Sequence, residues 1–241
     1  MNSPSHLMCR KRRDRFPSPL PKQEPALSCG DVTQRTHSSQ AVVFDVGGVL
    51  LDWDPDYLFR KLIADDDERR RFLTEVCTPA WNAEQDGGRS WAEATAELGA
   101  LFPEHSDLIA AYDERWEEMV SGAIEGTVAV LSDLRSAGVP TFALTNFSAE
   151  KWEVATDRWN FLAGFDGAVV SGTEKVTKPD LRIFEILLER HGLDPARTFY
   201  TDDLKANVEA ARQAGLDAEV FVDPDTLRQQ LVERGVLAAA A

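Results

Sequence analysis

The chain has 241 residues, 43% hydrophobic and 28% charged, enough for one large core or for a core with a smaller inserted domain. Charge is unevenly divided: residues 1–40 carry seven Lys/Arg against three Asp/Glu, a net of +4, and residues 41–241 carry 19 against 38, a net of −19. So acidic a body repels a nucleic-acid backbone, which argues against polymer binding by the folded part, and no run of about 18 apolar residues is present to span a membrane.

Residues 1–38 hold the basic cluster Arg10-Lys11-Arg12-Arg13 and no apolar periodicity, which predicts a disordered basic tail. An organelle transit segment or a polyanion-binding tail would share this composition. A secretory signal would not, since no apolar segment follows the basic cluster. Cys9, Cys29 and Cys77 are odd in number and scattered, a pattern that fits neither a disulfide framework nor a zinc site and leads to the expectation of a cytoplasmic protein.

Ala41-Val42-Val43-Phe44 reads as a buried strand that delivers Asp45 into a glycine turn. From Pro55 to Ala123 the periodicity is helical with little β character. "YLFRKLI", "RRRFLTEVC", "SWAEATAELGALF" and "LIAAYDERWEEMV" predict four helices, interrupted at Pro79, Asp86-Gly87-Gly88 and Pro103. From Gly126 onward, helices alternate with the short apolar strands "VPTFALTN", "GAVVS", "TFYTD" and "AEVFV". Five such strands predict an α/β fold: a Rossmann-like parallel sheet with helices on both faces. The expected domains are a core of residues 39–54 and 124–241 and a helical cap of residues 55–123.

Ligands of such sheets sit at the carboxyl ends of the strands. Those ends carry Asp45, then Thr145-Asn146, then Lys178 just beyond the third strand, then Asp202-Asp203. One nucleophile-grade carboxylate, hydrogen-bond donors, a cation and an acidic pair are thus expected along one edge. Any one of them alone could be a helix cap or a turn former; all four, in order, are a more specific signal.

Here the sequence resembles the haloacid dehalogenase-like superfamily of hydrolases, in its small-cap branch. Phe44-Asp45-Val46-Gly47-Gly48-Val49-Leu50 is similar to the first family motif, Leu144-Thr145-Asn146 to the second, Lys178-Pro179-Asp180 to the third, and Tyr200-Thr201-Asp202-Asp203 with Asn207 to the fourth. The resemblance implies that Asp45 attacks phosphorus and forms an aspartyl-phosphate that water then hydrolyses. It implies Mg²⁺ held by Asp45, the Gly47 carbonyl and Asp203 with Asp202 in support, and phosphate oxygens met by Lys178, Thr145 and the Asn146 backbone.

The pattern departs at Gly47, where most family phosphatases carry an acid/base aspartate. Three outcomes follow: a substrate with a good leaving group, a substitute acid among Asp52, Asp54 and Glu84, or a catalytically weak domain that binds a phosphorylated ligand or a protein partner. Some bacterial sugar-phosphate phosphatases that this chain resembles share the D-x-G loop, which leads to a sugar phosphate as the expected small phosphorylated metabolite. The enzymatic alternative is a metal-free 2-haloacid dehalogenase, whose chemistry needs no proton. In the cap, Trp81, Asn82 and Glu84 are the expected substrate contacts.

Overall fold

The computed structural model describes residues 41–238, so the expectation for residues 1–38 lies outside the described residues. β1 (Ala41–Phe44) leads through a glycine turn to β2 (Leu51–Trp53), and the chain then turns helical. The helices are α1 (Asp56–Leu62), α2 (Asp66–Arg71) continued by a π turn over Phe72–Val76, α3 (Pro79–Asp86), α4 (Trp91–Leu101) and α5 (Ser106–Glu114). β3 (Val120–Ala123) closes this insertion. Next come α6 (Glu125–Ser136), β4 (Thr141–Thr145), α7 (Ala149–Arg158), α8 (Asn160–Ala163), β5 (Gly167–Val170) and α9 (Ser171–Glu174). α10 (Leu181–His191), β6 (Thr198–Asp202), α11 (Lys205–Gln213), β7 (Asp217–Val220) and α12 (Pro224–Glu233) complete the described chain.

The main sheet is parallel throughout, in the order β5-β4-β1-β6-β7. Its strands bury both faces, as helices on either side require. Alternation within β1 divides its side chains between two cores. Val42 and Phe44 join Leu131 and Leu134 of α6 and Leu227 and Leu231 of α12; Ala41 and Val43 join Ile183, Phe184 and Leu187 of α10 and Val208 and Ala211 of α11. The chain leaves β1 toward β4 and β5, then returns to the other side of β1 to form β6 and β7. The strand order reverses at β1, which puts a crevice at the carboxyl ends of β4, β1 and β6.

The α/β architecture and the inserted helices agree with the sequence reading, but the insertion differs in two ways. β2 and β3 pair antiparallel into a ribbon at its root, where the sequence shows little β character: three- and four-residue strands are too short to display an alternating pattern. Pro79 also starts a helix rather than interrupting one. It stands in the first turn of α3, where a missing N–H costs nothing, and Thr78 Oγ1 caps the turn by accepting from Trp81 N at 3.0 Å. The insertion therefore carries five α-helices rather than four. Trp81, Trp91 and Tyr112, from α3, α4 and α5, form its aromatic centre, with ring centroids 5.3–5.6 Å apart.

Among the described residues no helix is long and apolar enough to cross a membrane. Cys77 is buried and unpaired, and burial pushes its thiol up to about 12.

Candidate active site

Asp45 stands one residue past β1, and its N–H donates to the Thr201 carbonyl at 2.9 Å, extending the pairing with β6. Its Oδ1 accepts from Val46 N at 2.6 Å and from Lys178 Nζ at 2.9 Å. Lys178 arrives on the segment after α9 and is fixed at its backbone by Asn146: Lys178 N donates to Asn146 Oδ1 at 2.8 Å, and Asn146 Nδ2 donates to the Lys178 carbonyl at 3.0 Å. The Lys178 ammonium also donates to the Leu144 carbonyl at 3.0 Å and to Asp202 Oδ2 at 2.7 Å. Its three protons thus have three partners, in a side chain 1% exposed.

Asp202 is wholly buried and saturated. Besides Lys178, Oδ2 accepts from the Tyr200 hydroxyl, and Oδ1 accepts from Leu204 N at 2.8 Å. Asn207 Nδ2 reaches both oxygens, at 3.0 and 3.1 Å. Asp203 is more open. It lies against Gly48, where a Cβ would stand 2.7 Å from Asp203 Oδ2, and the Gly48 φ of +72° is itself unfavourable to a side chain. Carboxylate oxygens of Asp45, Asp202 and Asp203 lie within 4.8 Å of one another, close enough to share a metal ion.

The charges do not balance without one. With all three carboxylates ionised against one ammonium, the local net charge would be −2 in a largely buried setting. Burial raises the Asp45 carboxyl to about 8, against the pull of Lys178. Burial would depress Lys178, but Asp45 and Asp202 hold it above its ordinary value. Burial also opposes ionisation of Asp202, yet Lys178 beside it keeps its carboxyl below the ordinary range, so the ion pair belongs most firmly to these two. Asp203 is raised by burial and by the Asp202 charge. A hard divalent cation matches this all-oxygen donor set and its missing charge.

Above the strand ends a cavity of about 70 Å³ separates core from cap. Gly47 and Asn146 line it from the core, Asn82 and Asp86 from α3, and Trp53, Trp91 and Trp116 contribute apolar wall. Contacts that close the cap on the core include Trp91 Nε1 donating to Ser148 Oγ at 2.9 Å, Lys151 paired with Asp113, and Ser171 Oγ donating to the Asp86 carbonyl at 2.5 Å. The Thr145 hydroxyl, at the end of β4, is buried with no hydrogen-bond partner.

Asp45, Gly47, Thr145, Asn146, Lys178, Asp202 and Asp203 therefore gather at one edge, and Asn82 joins them from the cap. Trp81 does not line the cavity; it packs inside the cap against Trp91 and Tyr112. Glu84 points elsewhere and pairs with Arg89 at 2.6 Å. Asp86 was missed by the sequence reading, although helical spacing could have found it: Asn82 and Asp86 are four residues apart on one face of α3, with Glu84 on the other.

Comparison with known proteins agrees with this geometry. Residues 40–215 match the family described as haloacid dehalogenase-like hydrolase. The sesquiterpene phosphatase astK of Aspergillus oryzae is 27% identical over 73% of this chain and 87% of its own. The N-acetylmuramic acid 6-phosphate phosphatase of Pseudomonas aeruginosa is 24% identical over 73% of this chain and 78% of its own. A haloacid dehalogenase-like family enzyme of Bacteroides thetaiotaomicron, solved with magnesium and inorganic phosphate, shares the fold with a TM-score of 0.61 at 19% identity, over 77% of this chain and 95% of that one. With the family match spanning most of the chain and its four motifs meeting at one sheet edge, the chain belongs to the haloacid dehalogenase-like hydrolases.

Proposed function

We propose that the protein is a Mg²⁺-dependent phosphatase that hydrolyses phosphate monoesters of small alcohols through an aspartyl-phosphate on Asp45. The observation that carries this reading is the unbalanced acidic group: Asp45, Asp202 and Asp203 within 4.8 Å, with Lys178 as the ammonium between the first two. Halide displacement from a 2-haloacid needs no cation, and Asp203 beside the nucleophile would then be a like charge that Lys178, already paired with Asp202, does not offset. Family membership alone does not choose between the two chemistries, since the family's name covers both.

Bound at this edge, Mg²⁺ would be held by Asp45, the Gly47 carbonyl and Asp203, with Asp202 in support, and would supply Lewis-acid stabilisation of the phosphoryl oxygens. The chain's own groups do the rest. Asp45 attacks phosphorus in line while Lys178 fixes its carboxylate and offsets the charge of the transferring group. The Thr145 hydroxyl and the Asn146 backbone take phosphoryl oxygens. The closed cap excludes water from the first step and shapes the pocket around the leaving group.

The sequence points to a sugar phosphate, but Leu51, Val120 and Phe147 join the three tryptophans in the cavity wall, with Asn82 and Asp86 as the polar groups on α3. That wall favours an apolar or flat leaving group, as does the likeness to a protein named a sesquiterpene phosphatase. The test is a panel of prenyl, aryl, alkyl and sugar phosphates, with 2-haloacids alongside, assayed in EDTA and after addition of Mg²⁺. Phosphate release that requires Mg²⁺ is expected. Full activity in EDTA, or halide release without metal, would reassign the protein as a dehalogenase, and ligand binding with no turnover would leave a binding module.

A further inference from the structure

Gly47 leaves the nucleophile without a carboxyl two residues on, yet an alkyl leaving group needs a proton as it departs. The three carboxylates named from the sequence as substitutes are engaged elsewhere. Asp52 accepts from the Tyr57 hydroxyl at 2.9 and 3.0 Å and from Ser121 Oγ at 2.5 Å. Asp54 Oδ1 accepts from Asp56 N at 2.8 Å, and Glu84 pairs with Arg89. None of the three lines the cavity, whereas Asp86 does, across from Gly47.

We propose that Asp86, in the last turn of α3, is the general acid and base of this enzyme, supplied by the cap in place of residue 47. The proposal rests on the phosphatase reading above. In an in-line displacement the leaving oxygen departs on the side of phosphorus opposite the nucleophile, and the cap closes that side. As the Asp45–phosphorus bond forms and the bond from phosphorus to the leaving oxygen breaks, the Asp86 proton passes to that oxygen and the alcohol leaves. Water then enters in its place. Asp86 carboxylate takes one proton from it, the hydroxyl joins phosphorus, and the Asp45–phosphorus bond breaks to free phosphate and restore both carboxyls.

The surroundings of Asp86 suit both roles. Asn82 Nδ2 donates to its Oδ2 at 3.0 Å, which fixes the rotamer. Burial raises its carboxyl to about 7, opposed by the Ser148 backbone N–H and the Lys178 charge, so acid and base forms are both accessible near neutrality. The ionisable groups facing it are Lys178, Tyr112 of α5, and Lys151 of α7, which is paired with Asp113. Residue 47 also has room for the missing carboxyl: a Cβ there would meet nothing within 4 Å, and the Gly47 φ lies outside the left-handed region.

The experiment compares kcat/KM for aryl and alkyl phosphates in wild type, Asp86→Asn, Asp86→Glu and Asp86→Asn/Gly47→Asp, with folding checked by circular dichroism. Asp86→Asn keeps the shape and an acceptor for Ser148. It should lower kcat/KM for alkyl phosphates by about 10²- to 10⁴-fold, and for aryl phosphates by less than about tenfold. Aryl phosphates should give this variant a burst of phenol, because the second step lacks its base. Asp86→Glu should recover part of the alkyl activity, and Gly47→Asp in the double variant should restore the alkyl-to-aryl ratio. An even loss across leaving groups, with no burst and no rescue, would overturn the role of Asp86 and leave it as a cap-packing residue. A wild type that hydrolyses neither class would overturn the phosphatase reading itself and this proposal with it.

Discussion

Lys178 directs its ammonium protons to Asp45, Asp202 and the Leu144 carbonyl, and that distribution makes the two aspartates unequal. Asp202 is wholly buried, with both oxygens saturated, so its charge is part of the fold. Asp45 is pushed up to about 8 by burial, so without a cation its charge is disfavoured by the fold. Their amide variants should therefore differ. Asp202→Asn leaves Lys178 without its firmest partner and should destabilise the protein by about 3–5 kcal/mol in denaturant unfolding. Asp45→Asn should leave stability unchanged or raised in EDTA, with turnover below detection. Equal destabilisation by the two changes would contradict this division of roles. Asp45, Gly47, Thr145, Asn146, Asp202 and Asp203 were legible in the sequence because each is at or just past a strand end, where the fold allows few alternatives, whereas Lys178, beyond α9, was legible only through its Lys-Pro-Asp context. The saturation of Asp202 was not legible, because it depends on Tyr200 and Asn207 meeting it from β6 and α11.

At the scale of single elements, the glycine turn after β1 and helix α3 carry the most information. Gly48 is pressed against Asp203, so Gly48→Ala should displace that carboxylate as well as strain the backbone. A weakening of Mg²⁺ affinity of about tenfold or more is expected, read from the Mg²⁺ dependence of the melting temperature. Helix α3 shows why the cap side of the site was only partly legible. With Pro79 read as an interruption, residues 81–86 have no helical phase, and nothing separates Trp81, Asn82 and Glu84 as residues that face the core. Once Thr78 caps and Pro79 opens the helix, Asn82 and Asp86 share one face and Glu84 falls on the opposite one. Asp86 also has a consequence for stability. Its carboxyl moves from about 4 in the unfolded chain to about 7 in the folded one. Between those values the folded state binds more protons, so stability falls as pH rises through that window. Wild type should lose more stability than Asp86→Asn between pH 4 and 7, measured by urea unfolding; parallel pH profiles would mean that the carboxyl is not buried as described.

For the molecule as a whole, the five-stranded sheet was legible because buried parallel strands are short apolar runs separated by helices, and the acidic pair at the carboxyl end of β6 follows from the same pattern. The β2–β3 ribbon was hidden by its shortness, and it changes how the cap is attached. Two antiparallel strands at the root, rather than a bare helical linker, join the insertion to the core beside Asp45. Cap and core then meet again at Trp91–Ser148 and Lys151–Asp113, which encloses the cavity over the strand ends. The central claim is that this enclosure serves divalent-cation-dependent phosphoryl transfer to Asp45. Its most direct test is rapid acid quench of the protein mixed with an aryl phosphate, followed by mass spectrometry of the peptide that contains Asp45. One phosphoryl group on Asp45, present with Mg²⁺ and absent in EDTA and in Asp45→Asn, is the predicted result. Phosphate release with no phosphoryl group at Asp45, or a haloacid ester formed on Asp45 without metal, would contradict the account.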